Sequence, residues 1–116
     1  MDDNLVVIIR ISIGLTMFAF GLSQLKDPKE WLVYIPKFIE KRINEIISVT
    51  FMRTHAMVNV VLGVLYAIGI WEVAVAWLTF AWWSFILPFV LLHNWKIGMR
   101  DLAIVTTTLA VALALS

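Results

Sequence analysis

The sequence predicts an all-α integral membrane protein: a four-helix bundle with an amphipathic interfacial helix between spans 1 and 2. Composition indicates this class, because 62% of the 116 residues are hydrophobic and only 15% are charged. The mean hydropathy is +0.94, and a soluble domain of this size has too small a core to hide so much apolar surface. We therefore expect a single transmembrane domain over residues 1–116.

Four apolar runs are long enough to cross a bilayer, since about 20 helical residues span a hydrocarbon core of about 30 Å. The predicted spans cover residues 5–25, 51–70, 73–92 and 97–115. Only a few residues separate the last three spans, so these should be antiparallel neighbours. The acidic N-terminus is unlike a secretory signal, and we expect the first run to be a retained span.

The segment between the first two spans mixes charged and apolar residues. From Pro28 onward the apolar residues recur at steps of three and four, which predicts an amphipathic helix over about residues 28–47, bent or broken at Pro36. Asp27 is a candidate N-cap, and proline suits the first helical position. The segment is too charged to insert, so we expect it to lie at the membrane interface rather than to cap a pocket.

Lysine and arginine residues predict the orientation. The first and third loops share one side of the membrane, and with their flanking helix ends they carry eight of these residues: Lys26, Lys29, Lys37, Lys41, Arg42, Arg53, Lys96 and Arg100. The other side has only Arg10, inside span 1. Under the positive-inside rule we expect a multi-pass protein of the cell membrane with both termini outside.

Charge and cysteine content exclude several function classes. The formal net charge is only +1, so the sequence does not suggest a nucleic-acid partner. The chain has no cysteine, which excludes disulfides, thiolate nucleophiles, iron–sulfur clusters and cysteine-based zinc sites. No glycine-rich phosphate loop, Ser/His/Asp arrangement or paired catalytic carboxylates are evident, so no catalytic residues are predicted.

Arg10 and Asn59 lie inside predicted spans, where a polar group is costly and requires an explanation. Small residues at helical spacing surround both, which lets two helices approach closely. We expect Arg10 either to meet Asn59 inside the bundle or to extend outward to Glu72 or Asp3. A structural hydrogen bond that sets the helix register is the favoured interpretation, and a proton, ion or substrate contact is the alternative.

Four polar residues should share one membrane depth near the cytoplasmic face: His55, His93, Arg100 and Asp101. Hydrogen-bond donors beside a flat apolar slot suit a quinone headgroup, so these are candidate cofactor-binding residues. Interfacial anchoring is the favoured explanation for the group. A haem held by the two histidines is a less favoured alternative. No metal site is predicted, because a third ligand is not evident.

Three stretches resemble the DoxX family of small four-helix membrane proteins: RISIGLTMFAFGLSQLKDPKEWLVYIPKFI (residues 10–39), HAMVNVVLGVLYAIGI (55–70) and MRDLAIV (99–105). The resemblance implies a four-helix bundle and a link to membrane redox chemistry, because some relatives are subunits of quinone-linked oxidoreductases. The chain departs from the family at Asn59, where relatives often carry glutamate, and this weakens any proposal for proton transfer there.

Together these features predict a DoxX-like, non-catalytic accessory or quinone-proximal subunit of a larger membrane oxidoreductase complex. Its expected partners are the lipid bilayer and other membrane proteins, the latter because the third span carries aromatic side chains around most of its circumference. The alternatives are a stand-alone quinone-binding redox protein, or a small transporter or channel with Arg10 and Asn59 along its path.

Overall fold

The structure is a computed structural model that describes residues 3–35, 37–40, 42 and 44–116; these form helices and no strand. The elements are α1 (Asp3–Lys26), a 3₁₀ helix (Pro28–Tyr34), α2 (Lys37–Glu40), α3 (Glu45–Ile68), α4 (Glu72–His93) and α5 (Trp95–Leu115). Within this part of the chain, α1, α3, α4 and α5 are long and apolar enough to cross a membrane. The predicted all-α class with four candidate spans is confirmed.

In place of the amphipathic helix predicted over residues 28–47, the connection between α1 and α3 contains two short helices and the first turn of α3. The chain forms the 3₁₀ helix, an extended residue at Ile35 and then the single turn of α2. Three residues of the predicted helix lie outside the described part of the chain: Pro36, where we expect the bend, Lys41 and Ile43.

Two side-chain caps set the ends of this connection. Asp27 caps the 3₁₀ helix as predicted, with its carboxylate 3.4 Å from the backbone nitrogen of Glu30. Asn44 caps α3 by accepting a hydrogen bond from the backbone nitrogen of Ile47 at 2.9 Å. An N-cap side chain satisfies one of the free N–H groups of the first turn. The span therefore begins at Glu45, well before the predicted start at residue 51.

The four long helices pack as two pairs, α1 with α3 and α4 with α5. The first pair makes close backbone contact: a Cβ atom added to Gly14 would lie 2.5 Å from the carbonyl oxygen of Gly63. No side chain fits in that space, so glycine at both positions allows the helix axes to approach. The second pair is joined by the short turn at Asn94.

Two apolar clusters hold the pairs together. The larger one lies towards the N-terminal end of α1 and takes residues from all four long helices: Val6, Tyr66, Val75, Ala76, Val111 and Ala112. The second cluster, Met17, Trp83 and Val105, lies nearer the middle of the bundle. Large apolar side chains cover the outer faces, as a bilayer-facing surface requires. The end of the bundle nearest the 3₁₀ helix is less tightly filled.

Candidate functional site

A cavity of about 610 Å³ lies at the end of the bundle where the 3₁₀ helix packs. This volume falls within the range of about 300–1,000 Å³ that is typical of small-molecule sites. All four long helices and both short elements line the cavity. Its walls are mainly apolar and include five phenylalanine or tryptophan rings of the long helices and polar side chains of Gln24, His55, Asn59, Arg100 and Asp101.

Four hydrogen-bonded side chains form the His55 network: Gln24, His55, Asn59 and Trp82. Asn59 Nδ2 donates to Gln24 Oε1 at 3.0 Å, and Trp82 Nε1 donates to Asn59 Oδ1 at 2.8 Å. His55 Nδ1 lies 3.2 Å from Gln24 Oε1. His55 Nδ1 also lies 3.4 Å from Asn59 Nδ2. The amide oxygen of Gln24 accepts and the amide nitrogen of Asn59 donates, so the two contacts suit opposite tautomers of the His55 ring.

Asp101 is buried in the wall of the cavity, next to Arg100. Its Oδ1 accepts hydrogen bonds from Nε and Nη2 of Arg100, both at 3.3 Å. The Arg100 side chain is 63% exposed, so one partner of this ion pair is solvated and the other is not. Asp101 Oδ2 accepts no hydrogen bond from the described residues. The cavity therefore borders a carboxylate with one oxygen still able to accept.

Trp83 also lines the cavity and is only 6% exposed. Its Nε1 is buried and has no hydrogen-bond partner within the described parts of the chain. A buried donor without a partner costs about 1–3 kcal/mol, and most such groups in native proteins are satisfied by protein, water or ligand. Because this nitrogen is fully buried, it does not face the cavity, and the Trp83 ring contributes an apolar surface to the wall.

The 3₁₀ helix covers the cavity, with Trp31 and Tyr34 among the lining residues. The Trp31 ring stacks on Tyr34 at a centroid distance of 5.8 Å, and its Nε1 donates to Ser23 Oγ at 3.3 Å. Tyr34 meets the His93 ring edge-on at 4.9 Å. The segment therefore lines the cavity, which is the alternative that the sequence favours less. Its location at the membrane interface stays a prediction.

The cavity brings together three of the four predicted site residues, His55, Arg100 and Asp101. His93 does not line it, although its ring contacts Tyr34, which does. The two histidines therefore do not share the cavity, as an axial pair on one haem would require. Among the described residues, no group of three or more His, Asp or Glu is placed to hold a metal ion.

Arg10 and Asn59 do not meet. Asn59 belongs to the His55 network, whereas Arg10 lies 6% exposed near the far end of α1, with Nη1 3.2 Å from Glu72 Oε1. The first of the two expected contacts of Arg10 is thus wrong, and the structure gives the second, outward contact with Glu72. Depth along the helices allowed both contacts, but the rotation of α3 turns Asn59 towards the cavity.

Four residues form the Arg10 cluster: Arg10, Tyr66, Gly69 and Glu72. Gly69 has a φ of 88°, which ends α3 in the left-handed conformation. A Cβ atom there would lie 2.6 Å from Arg10 Nη1, so the guanidinium packs directly on the glycine. Arg10 Nε and Nη1 and the Tyr66 hydroxyl are buried without hydrogen-bond partners in the described structure. The contact with Glu72 is thus an ion pair by distance, without hydrogen-bond alignment.

The sequence analysis missed Trp83 and Gln24 as cavity residues. The sequence contains a feature that points to each of them. Gln24 lies three residues after Gly21, about one helical turn along the small-residue face of α1, and a glutamine near a span end needs a partner. Trp83 is adjacent to Trp82, and only the rotation of α4 determines which of the two indoles reaches Asn59 and which is left unpaired.

Comparisons with protein-family models, curated proteins and solved structures find no match to this chain. The resemblance to the DoxX family therefore stays a hypothesis that depends on the three quoted stretches. The chemistry of the cavity is the basis for inferring function.

Proposed function

We propose that this chain is a small integral membrane subunit whose cavity holds the headgroup of a lipid-soluble quinone, as a non-catalytic component beside a larger membrane oxidoreductase. The observation that supports this most directly is the combination of an aromatic-walled cavity with the polar side chains of His55, Arg100 and Asp101 in its lining. Ligand sites of this size are typically apolar, with a few placed polar groups that orient the ligand.

The donor set of the cavity fits a quinone. The wall offers flat apolar surfaces from Phe20, Phe51 and Phe89, against which a ring can stack. Arg100 also lines the cavity, and its N–H groups that do not donate to Asp101 are donors that a ligand carbonyl can satisfy. A bound quinone would supply the electron-accepting chemistry. The residues of this chain would hold and orient it and keep water from its ring.

The proposed position of the cavity suits a ligand that arrives through the bilayer. The cavity lies at the end of the bundle that carries the excess of lysine and arginine, which we expect to face the cytoplasm. The orientation can be tested by Ser116→Cys, since the chain has no other cysteine. Labelling by an impermeant maleimide added outside intact cells is expected, and labelling only after lysis would reverse the proposed orientation.

Quinone binding can be tested in nanodiscs by quenching of tryptophan fluorescence with decylubiquinone, because Trp31 and Trp83 line the cavity. We expect saturable quenching by the unaltered protein. Ile86→Phe adds bulk at the cavity wall and should weaken binding about tenfold or more. Leu78→Phe is the matched control on the same helix, because Leu78 is exposed and does not line the cavity.

Equal quenching of both variants would show that the quinone only partitions into lipid, and would contradict the proposed binding function. The subunit role needs a separate experiment. Purification from membranes in a mild detergent, followed by native mass spectrometry, should find the chain in a complex with redox-protein partners. Purification without any partner would contradict the subunit role and leave a stand-alone quinone-binding protein as the remaining form of the proposal.

A further inference from the structure

We infer that the bound quinone extends a hydrocarbon tail sideways out of the cavity, through the seam between α3 and α4, into the bilayer. This inference rests on the proposed function and specifies the substrate class of the same site: quinones with an apolar tail, which the side chains along that seam contact. It depends on where the described side chains cover the wall of the cavity and where they leave it uncovered.

Three large apolar residues of the cavity wall are about half exposed, and all three belong to α3 or α4: Ile47, Phe51 and Phe85. Their exposed fractions are 51%, 48% and 51%. The other large apolar side chains of the wall are more deeply buried within the described part of the chain. Among the described residues, the apolar wall is therefore least covered where α3 faces α4.

Phe51 and Phe85 lie at similar depths on these two antiparallel helices. Phe51 is six residues after Glu45, the first residue of α3, and Phe85 is eight residues before His93, the last residue of α4. At about 1.5 Å per residue, they are about 9 Å and about 12 Å from the helix ends on the same side of the bundle. Both residues belong to candidate spans, so in a bilayer this part of the wall faces hydrocarbon.

The seam between α3 and α4 changes character along its length. Towards the middle of the bundle it is closed by the rings of His55 and Trp82, whose centroids lie 4.9 Å apart, and by the hydrogen bond from Trp82 to Asn59. One turn nearer the 3₁₀ helix, Phe51 continues the helix face of His55, and Phe85 continues that of Trp82. No ring contact joins Phe51 to Phe85 in the described structure. The polar part of the seam is thus closed, whereas no such contact closes its apolar part.

The other sides of the cavity are closed or polar in the described part of the chain. A Cβ atom added to Gly21 would lie 2.8 Å from the carbonyl oxygen of Ala56, so α1 packs tightly on α3. A Cβ atom added to Gly98 would overlap the side chain of Leu91, so α4 packs tightly on α5. On the side of α1 and α5 the exposed lining residue is Arg100, whose charge does not suit a hydrocarbon chain. The 3₁₀ helix covers the end of the bundle, and the seam between α3 and α4 remains for an apolar tail.

The test is photolabelling in nanodiscs with a decylubiquinone analogue that carries a diazirine on the first carbons of its tail. Illumination attaches the tail to the side chains beside it, and mass spectrometry of the digested protein locates the attachment. We expect label on residues 47–51 and 85–89, and an excess of unmodified decylubiquinone should remove it. Because the lipid also dissolves the probe, only label that the competitor removes reports the bound ligand.

Two variants on α4 connect the removable label to the cavity. Ile86→Phe adds bulk at the cavity wall and should lower this label about tenfold, in proportion to the expected loss of affinity. Leu78→Phe should leave it unchanged, because Leu78 is exposed and does not line the cavity. Equal removable label in both variants would mean that the labelled tail does not belong to a ligand in the cavity, and would overturn the inference.

The distribution of the label separates this inference from the proposed function. Removable label mainly on α1, α5 or the 3₁₀ helix would overturn the route between α3 and α4 and leave quinone binding supported. Absence of any removable label would contradict the proposed function itself, and the inference with it. The distribution measured on the unaltered protein needs no variant, so the route can be rejected even where a substitution prevents folding.

Discussion

The His55 network and the Arg10 cluster both bury polar side chains within membrane-spanning helices, but they satisfy them differently. In the His55 network, hydrogen bonds of 2.8 to 3.2 Å connect α1, α3 and α4. In the Arg10 cluster, three buried polar atoms have no hydrogen-bond partner among the described residues. The network borders a cavity, whereas the guanidinium of Arg10 is packed against Gly69.

This difference indicates two uses of polarity in a membrane. Hydrogen bonds across helices fix side-chain rotamers, and a site that must present its polar groups to a ligand needs such fixed rotamers. A single buried ion pair with a half-exposed carboxylate needs less precision. We therefore place the proposed function at the His55 end of the bundle and a structural ion pair at the Arg10 end.

The largest loss of stability should come from a substitution that separates α1 from α3, because both regions depend on this helix pair. In Gly63→Leu the new Cβ would lie 2.6 Å from the carbonyl oxygen of Gly14 and 2.9 Å from the backbone nitrogen of Phe18. Neither backbone atom can rotate away, so α1 and α3 must separate. We expect a loss of about 3 kcal/mol or more in the free energy of unfolding.

Thermal unfolding followed by circular dichroism in detergent measures this loss. Val64→Leu is the matched control, because Val64 is the next residue of α3 and its side chain is exposed on the outer face. The control should unfold close to the temperature of the unaltered protein. Similar unfolding of both variants would show that the close glycine contact does not hold α1 against α3.

The second largest loss of stability is expected for a substitution in the His55 network that leaves the Arg10 cluster unchanged. Asn59→Leu keeps the size of the side chain but leaves Trp82 Nε1 without its acceptor and Gln24 Oε1 without one donor. We expect a loss of about 1–3 kcal/mol in the free energy of unfolding. The loss of the indole hydrogen bond should also shift the Trp82 emission to shorter wavelength.

The comparison for this prediction is Met57→Leu, which changes an exposed position on the same turn region of α3. That variant should leave both stability and emission unchanged. Quinone binding, measured as above, should weaken in Asn59→Leu and not in Met57→Leu, because His55 loses its fixed orientation. An unshifted emission spectrum would contradict the hydrogen bond between Trp82 and Asn59.

Hydropathy and length are sufficient to predict the four spans, because a bilayer imposes one dominant constraint on composition. The burial of Arg10 and Asn59 follows from the same cost. The partners of these two residues cannot be predicted in the same way, because the depth of a residue in the membrane says nothing about the rotation of its helix about the helix axis. That rotation turns Asn59 towards Gln24 and leaves Arg10 to Glu72. It is determined by contacts such as Gly14 with Gly63, which a single sequence does not pair uniquely.

The sequence favours the wrong one of two arrangements for the residues over the cavity, for a related reason. Steps of three and four between apolar residues are compatible with one long helix and equally with short turns that bring the same residues together. The aromatic contacts of Trp31 with Phe20 and Tyr34 with His93 favour the second arrangement. These contacts are long-range, so no local pattern reports them.

The smallest effect is expected at the Arg10 cluster, and there the two partners of the ion pair should differ. Arg10→Met replaces a buried guanidinium, two of whose nitrogens lack hydrogen bonds, by an apolar chain of similar length. Glu72 remains half exposed at the first turn of α4, where solvent and the helix dipole stabilise its charge. The free energy of unfolding should therefore change by less than about 1 kcal/mol, or increase.

Glu72→Gln is the informative control, because it leaves the guanidinium buried and removes its counter-charge. It should destabilise the protein more than Arg10→Met does, since an uncompensated buried charge costs more than a solvated one. Parallel thermal unfolding of the two variants measures the difference directly. A larger loss in Arg10→Met would mean that the guanidinium makes stronger contacts than its distance from Glu72 indicates. The Arg10 cluster would then stabilise the bundle as much as the His55 network does, and the contrast between the two regions would be wrong.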